Sequence, residues 1–189
     1  MWTLLPLGNP GPDYALTRHN LGRLLLLRWI EARGIRPSVR TELPTGTLYA
    51  LTERLQALVP ATWMNLSGQA LREAVAAGLA LERVVVLLDD KDLPLGLGRF
   101  RPDGSHGGHN GLRSVLEAAG ATVARLRLGI GPFARPLHDF VLGTWTEEEE
   151  RALEALEAPF AAFLEQLAGC VDPADLPGKV NAEVFWKPH

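Results

Sequence analysis

Long apolar runs and an excess of positive charge are missing from this chain of 189 residues, and cysteine is scarce. No stretch approaches the roughly 18 apolar residues that a membrane-crossing helix needs, so none is expected. A single cysteine, Cys170, excludes an internal disulfide framework and suits a reducing cytosol. The opening Met1-Trp2-Thr3-Leu4-Leu5-Pro6 has no basic leader, so no signal peptide is expected and a cytoplasmic location is. The formal net charge of −3 argues against a protein that coats nucleic acid non-specifically. Repeats, low-complexity tracts and a second composition are also absent. What is there, 47% hydrophobic and 22% charged residues, is enough for one domain over 1–189 with a substantial core.

The charge is unevenly spread. Between Arg99 and Arg135 six arginines face only two acids, Asp103 and Glu117, whereas Asp139 to Asp175 holds ten acids and one base, Arg151. A basic middle beside an acidic segment (about 146–176, packed on the domain as helix) fits a local phosphate-binding surface on an anionic body. Arginine-rich, lysine-poor usage in a biased or thermophilic genome explains the same numbers equally well.

Hydrophobic patterning gives strands alternating with helices, hence a single-domain α/β fold with a mixed, twisted central sheet flanked by helices on both faces. Trp2 to Leu7 reads as a buried strand that stops at the turn formers Gly8-Asn9-Pro10-Gly11-Pro12. Thr17-Arg18-His19-Asn20 precedes a long apolar stripe from Leu24 to Ile30, with Asn20 as the expected helix cap. His19 then stands at the mouth of that helix, where a buried, unpaired imidazole only costs stability. Residues 39 to 59 give two or three strands (Gly46 to Leu51, Leu55 to Val59), and a helix follows Ser67-Gly68 to about Leu79. Arg83 to Leu88 is the clearest central strand and exits into Asp89-Asp90-Lys91-Asp92. Gly98 to Arg101 is a short strand, Asn110 to about Ala119 a helix, and Val123 to Ile130 a strand with one arginine-bearing polar face. His138 to Gly143 reads as a short strand or the start of a lid. Thr146 followed by four glutamates is a helix start, and the amphipathic helix behind it runs to about Gly169. A shorter helix and the tail from Val180 to Trp186 finish the chain.

Gly104-Ser105-His106-Gly107-Gly108-His109-Asn110-Gly111 concentrates the polar chemistry, as either a close-approach turn for an anionic or carbonyl ligand or a solvated surface loop. Metal binding by His106 and His109 with Asp89, Asp90 and Asp92 is disfavoured, because the histidines lack the i, i+4 helical spacing and no cysteine assists. Neither Ser67 nor Ser105 lies in a Gly-x-Ser-x-Gly elbow, and the Walker lysine is absent. A histidine near a strand-exit carboxylate, with Asn9, Asn65 and Asn110 on three ligand-type loops, suits general-base hydrolysis.

Six motifs then follow one another in the order seen in a known family. They are Gly8-Asn9-Pro10-Gly11, Thr17-Arg18-His19-Asn20-x-Gly22, Pro60-x-Thr62-x-Met64-Asn65-x-Ser67-Gly68, Asp89-Asp90-x-Asp92-Leu93-Pro94-x-Gly96, His106-Gly107-Gly108-His109-Asn110-Gly111 and Arg125-Leu126-Arg127-x-Gly129-Ile130-Gly131. The chain resembles bacterial peptidyl-tRNA hydrolase nearly end to end; individually, only the Thr-Arg-His-Asn and His-Gly-Gly-His-Asn-Gly blocks are specific. The resemblance implies hydrolysis of the ester between a peptide and the terminal ribose of tRNA, a rescue function in translation. It makes His19 the catalytic base, Asp89 its orienting partner and Asn9 a further catalytic residue. Tyr14, Met64, Asn65, His109 and Asn110 become substrate contacts, and Arg101 with Arg127 the pair that holds the tRNA 5′ phosphate. The implied partner is peptidyl-tRNA, through its acceptor stem, 5′ phosphate and 3′ CCA end. A monomer without cofactor or metal is expected. The alternative on the same fold is a non-catalytic RNA-binding adaptor.

Two departures from the family pattern carry expectations of their own. Pro6 replaces a glycine of the first strand and cannot donate a ladder hydrogen bond, which puts local pairing in question. Pro132-Phe133 stands where a basic or polar residue plus proline is usual, so phosphate contact or lid behaviour is expected to change there unless Arg135 and His138 compensate.

Overall fold

A computed structural model describes residues 1–133 and 136–187. Seven strands form one mixed sheet in the order β2-β3-β4-β1-β5-β7-β6. They are β1 (Trp2–Pro6), β2 (Ser38–Leu43), β3 (Gly46–Ala50), β4 (Leu55–Pro60), β5 (Val84–Pro94), β6 (Gly98–Arg101) and β7 (Ala124–Gly131). The central strands β4, β1, β5 and β7 run parallel, while β2, β3 and β6 add antiparallel edges. Among the described residues the helices are α1 (Leu21–Ala32), α2 (Gly68–Ala76), α3 (Asn110–Ala119), α4 (Leu137–Leu142), α5 (Glu147–Gly169), α6 (Leu176–Val180) and α7 (Glu183–Trp186).

Period-two alternation in the strands sends side chains into two separate cores. Trp2, Leu4, Val85, Leu87, Leu126 and Leu128 face α1 and α5, while Leu5, Leu7, Val84, Val86 and Leu88 face α2 and α3. Helices therefore cover both faces of the sheet, as the patterning predicts. On the inward face of α5, Leu153, Leu156, Phe160, Phe163, Leu164 and Leu167 are all fully buried. A capping box between Thr146 and Glu149 starts that helix, and four glutamates occupy its first turn. The acid-rich face of α5 meets arginines on or flanking α1: Arg28 with Glu150 and Glu157, Arg33 with Glu165, and Arg18 with Glu149.

Several expectations are corrected by long-range contacts. Residues 137–142 form a helical turn and a half, not a strand. The carboxylates Asp89, Asp90 and Asp92 lie inside β5, which runs on to Pro94 through an irregularity against β7 instead of ending at Leu88. Arg125 is fully buried while Arg127 beside it is partly exposed, so the arginine-bearing face of β7 is open to solvent only in part. Asn20 precedes α1 without capping it by its side chain. Pro6 disturbs nothing. Its neighbour Leu7 donates to Leu87 O of β5 at 3.0 Å, so by strand alternation the nitrogen of Pro6 faces β4, where pairing has already ended at Leu4. Arg135, one of the two residues expected to offset Pro132-Phe133, lies outside the described residues.

Candidate active site

The polar motifs gather at the carboxyl ends of the parallel strands, beside β1, from which neighbouring connections depart to both sides. Open α/β sheets form ligand crevices at such points. A cavity of about 600 Å³ opens there, lined by residues that include Asn9, His19, Met64, Asn65, Asp89, His109, Asn110 and Arg127. Tyr14 is not among them; it packs edge-on against Trp63 at 5.6 Å between ring centroids. Arg101 is exposed on β6 and does not line the cavity either.

His19 sits in a single 3-10 turn, Arg18–Asn20, immediately before α1. That helix is drawn onto the sheet at Gly22, where a Cβ would fall 2.5 Å from Leu87 O, so only glycine allows the approach. The approach brings His19 Nδ1 to 2.8 Å from Asp89 Oδ1. On the other side of the same oxygen stands His109, whose Nε2 is 2.9 Å away. His109 Nδ1 accepts from the Leu112 N–H at 3.2 Å as it caps α3, so its proton is assigned to Nε2, which donates to Asp89. An ionised carboxylate only accepts, so His19 donates from Nδ1 and keeps its lone pair on Nε2. Burial alone would push the Asp89 carboxyl up, but the charge and hydrogen bonds of His109 and His19 outweigh it and hold this group well below the usual carboxylate range.

One of the amides, Asn9, is fixed just as narrowly. Asn9 Oδ1 accepts from the Met64 N–H at 2.9 Å, which leaves its Nδ2 group as the free donor of a cavity-lining residue. The Asn9 backbone is itself gripped by Asn20, whose Oδ1 accepts from Asn9 N–H and whose Nδ2 donates to Asn9 O, both at 2.9 Å. Asn65 and Asn110 are exposed at the cavity rim, and Met64 is buried beneath it.

Four arginines share one face of the β6–β7 pair, because Arg99 lies opposite Arg127 and Arg101 opposite Arg125. Arg127 Nε is held by Asp90 Oδ2 at 2.9 Å, and Arg125 Nε and Nη2 are buried without a partner among the described residues. Patterning alone misses two pairings: Asn20 as a clamp on Asn9 and Asp90 as counterion of Arg127. Both residues stand within motifs, yet nothing local gives their partners. His106, from the glycine-rich stretch, lines the cavity while its Nδ1 accepts from Gly108 N–H. His138 lines the cavity too, from α4. As for metals, the described residues offer one group, His19, Asp89 and His109, with ligand-type atoms within 4.8 Å of one another. This is not the His106-centred set considered from spacing, and an ion here would have to displace a hydrogen bond of His109, both of whose nitrogens are engaged.

An enzyme of the hydrolase class is what this sheet and this imidazole–carboxylate pair define, and comparison with known proteins narrows it. The family model for peptidyl-tRNA hydrolase matches residues 3–175. A peptidyl-tRNA hydrolase of Methylacidiphilum infernorum (isolate V4) is 39% identical over 165 residues, covering 85% of this chain and 88% of that one. One from Geobacter sp. (strain M21) is 40% identical over 168 residues with the same coverage, 85% and 88%. The crystal structure of peptidyl-tRNA hydrolase from Acinetobacter baumannii aligns with a TM-score of 0.84 at 29% identity, covering 100% of this chain and 97% of that one. The chain belongs to the peptidyl-tRNA hydrolase family, a family of carboxylic ester hydrolases.

Proposed function

We propose that this protein hydrolyses the ester between the carboxyl end of a peptide, or an N-blocked amino acid, and the 3′-terminal ribose of tRNA, and so returns the tRNA to translation. His19 Nε2 takes a proton from water as the water attacks the ester carbonyl. The resulting imidazolium is stabilised by Asp89, and Asn9 Nδ2 donates to the developing oxyanion. Collapse of the tetrahedral intermediate breaks the bond to the ribose oxygen, which leaves with the proton held by His19. The ester is activated enough for a positioned base and an oxyanion donor to suffice. Asn65 and Asn110 bond the peptide linkage, which discriminates against a free amine because the wrong substrate leaves polar groups unpaired. Arg127, with Arg101, holds the 5′ phosphate by charge and paired N–H donors.

The observation that carries this reading is the 2.8 Å contact between His19 Nδ1 and Asp89 Oδ1, which leaves the other nitrogen of the ring basic. The test is turnover of N-acetyl-aminoacyl-tRNA. The wild-type protein is expected to release tRNA in the presence of chelator, and His19→Ala to lower kcat about 10²- to 10⁴-fold, the usual worth of a general base. Tight tRNA binding without turnover by the wild type would make the protein an adaptor instead.

A further inference from the structure

Arg18 stands next to the base but does not line the cavity. Its guanidinium is nearly buried, with Nη2 donating to both oxygens of Glu149 at 3.0 and 2.8 Å. The same group lies over the rings of Phe140 and Trp145, at 4.8 and 5.2 Å to their centroids. Its Nη1 donates weakly to Phe140 O at 3.4 Å, and the Arg18 backbone N–H donates to Gly143 O at 3.0 Å. At Gly143 a Cβ would fall 2.7 Å from Nη1, so the chain leaving α4 passes directly over the guanidinium. Glu149 is meanwhile the capping-box residue of α5 and accepts from Thr146 N–H at 2.8 Å. One side chain thus joins the turn that carries His19, the end of α4 and the start of α5.

Helix α4 needs such an anchor. It is six residues long and none of them is buried in the core. It nevertheless supplies Leu137, Val141 and Leu142 to the cavity, completing an apolar wall with Met64 and Leu88. Too short to be stable alone, it owes its place to what grips it from outside.

We propose that Arg18 is a positioning residue: by clamping α4 to Glu149 it sets the apolar wall that receives the side chain next to the scissile ester. The proposal rests on the ester-hydrolase reading above, since the wall faces the same cavity as His19 Nε2 and Asn9. It assigns Arg18 to binding of the acyl side chain, not to proton transfer. A substrate with a large apolar residue at the ester should depend on the clamp, and one with glycine there should not.

The experiment compares N-acetyl-phenylalanyl-tRNA with N-acetyl-glycyl-tRNA for wild type, Arg18→Gln and Glu149→Gln, with the pH profile of kcat for each. Arg18→Gln is expected to raise KM for the phenylalanyl substrate about tenfold, a modest share of what a hydrophobic pocket contact is worth, with KM for the glycyl substrate within about twofold. Glu149→Gln opens the clamp from its far side and should give the same selective rise, smaller in size, so it carries the test if Arg18→Gln does not fold. Both variants should keep the wild-type pH profile and exchange the amides of residues 137–142 faster. Equal losses on the two substrates, a displaced pH profile or unchanged KM values would overturn the assignment. A wild-type protein inert on both substrates would instead sink the hydrolase reading itself.

Discussion

A single carboxylate oxygen, Asp89 Oδ1, accepts from both His19 and His109. Because the folded value of this carboxyl lies below its unfolded one, the unfolded chain takes up the proton first as pH falls. Asp89 therefore contributes stability in full above the ordinary carboxylate value of about 3.9, and that contribution drains away below it. His109→Ala removes the strongest of the influences that lower it, and should flatten the acid limb of unfolding free energy against pH. At neutral pH the same variant should lose about 0.5–2 kcal/mol for the missing cap on α3. Urea unfolding from pH 3 to 7 measures both; an acid limb as steep as wild type would mean that His19 alone holds Asp89. That His19, Asp89 and Asn9 line one cavity was legible because each stands in a motif of its own. Arg18 stands in one too, but its partner Glu149 lies 131 residues further on, and no local pattern announces such a pairing.

The elements that deliver these residues depend on close backbone approach. Gly22→Ala would place a methyl group 2.5 Å from Leu87 O, a backbone atom that cannot swing aside. Helix α1 must then lift from β5, costing about 1–3 kcal/mol in overpacking. Since the turn carrying His19 leads into that helix, the His19–Asp89 contact should lengthen and kcat should fall while tRNA affinity holds; loss of stability with kcat intact would show the turn to be independent of α1. Strand and helix identities followed well from hydrophobic period wherever the run was long, as in α5 or β5. They failed at Leu137-His138-Asp139-Phe140-Val141-Leu142, where six residues are too few for a 3.6 period to be told from a 2.0 period. On β7 the alternating arginines gave the strand and its polar face, but not how deeply one of them lies. In the fold, Arg125 is covered by the glycine loop, with Gly104 close over its Nη1.

For the molecule as a whole, charge is organised by region. The acidic face of α5 is met by arginines on and before α1, and four arginines collect on the β6–β7 face of a chain whose net charge is −3. A local patch on an anionic body favours a ligand that touches there and few others. Arg127→Ala should weaken full-length peptidyl-tRNA and lower the slope of log Kd against log salt by about one, while turnover of a short acyl-adenosine ester stays near wild type. Equal losses on both substrates would remove Arg127 from the phosphate role. The chain path has a consequence for biosynthesis. His19 and Asp89 are separated by 70 positions and meet only when β5 docks on β1, His109 comes 20 positions later, and the Arg18 clamp waits for Glu149. At about 5–20 residues per second on the ribosome, several seconds separate synthesis of the turn that holds His19 from that of the strand that holds Asp89, and the pair can form only after both have emerged.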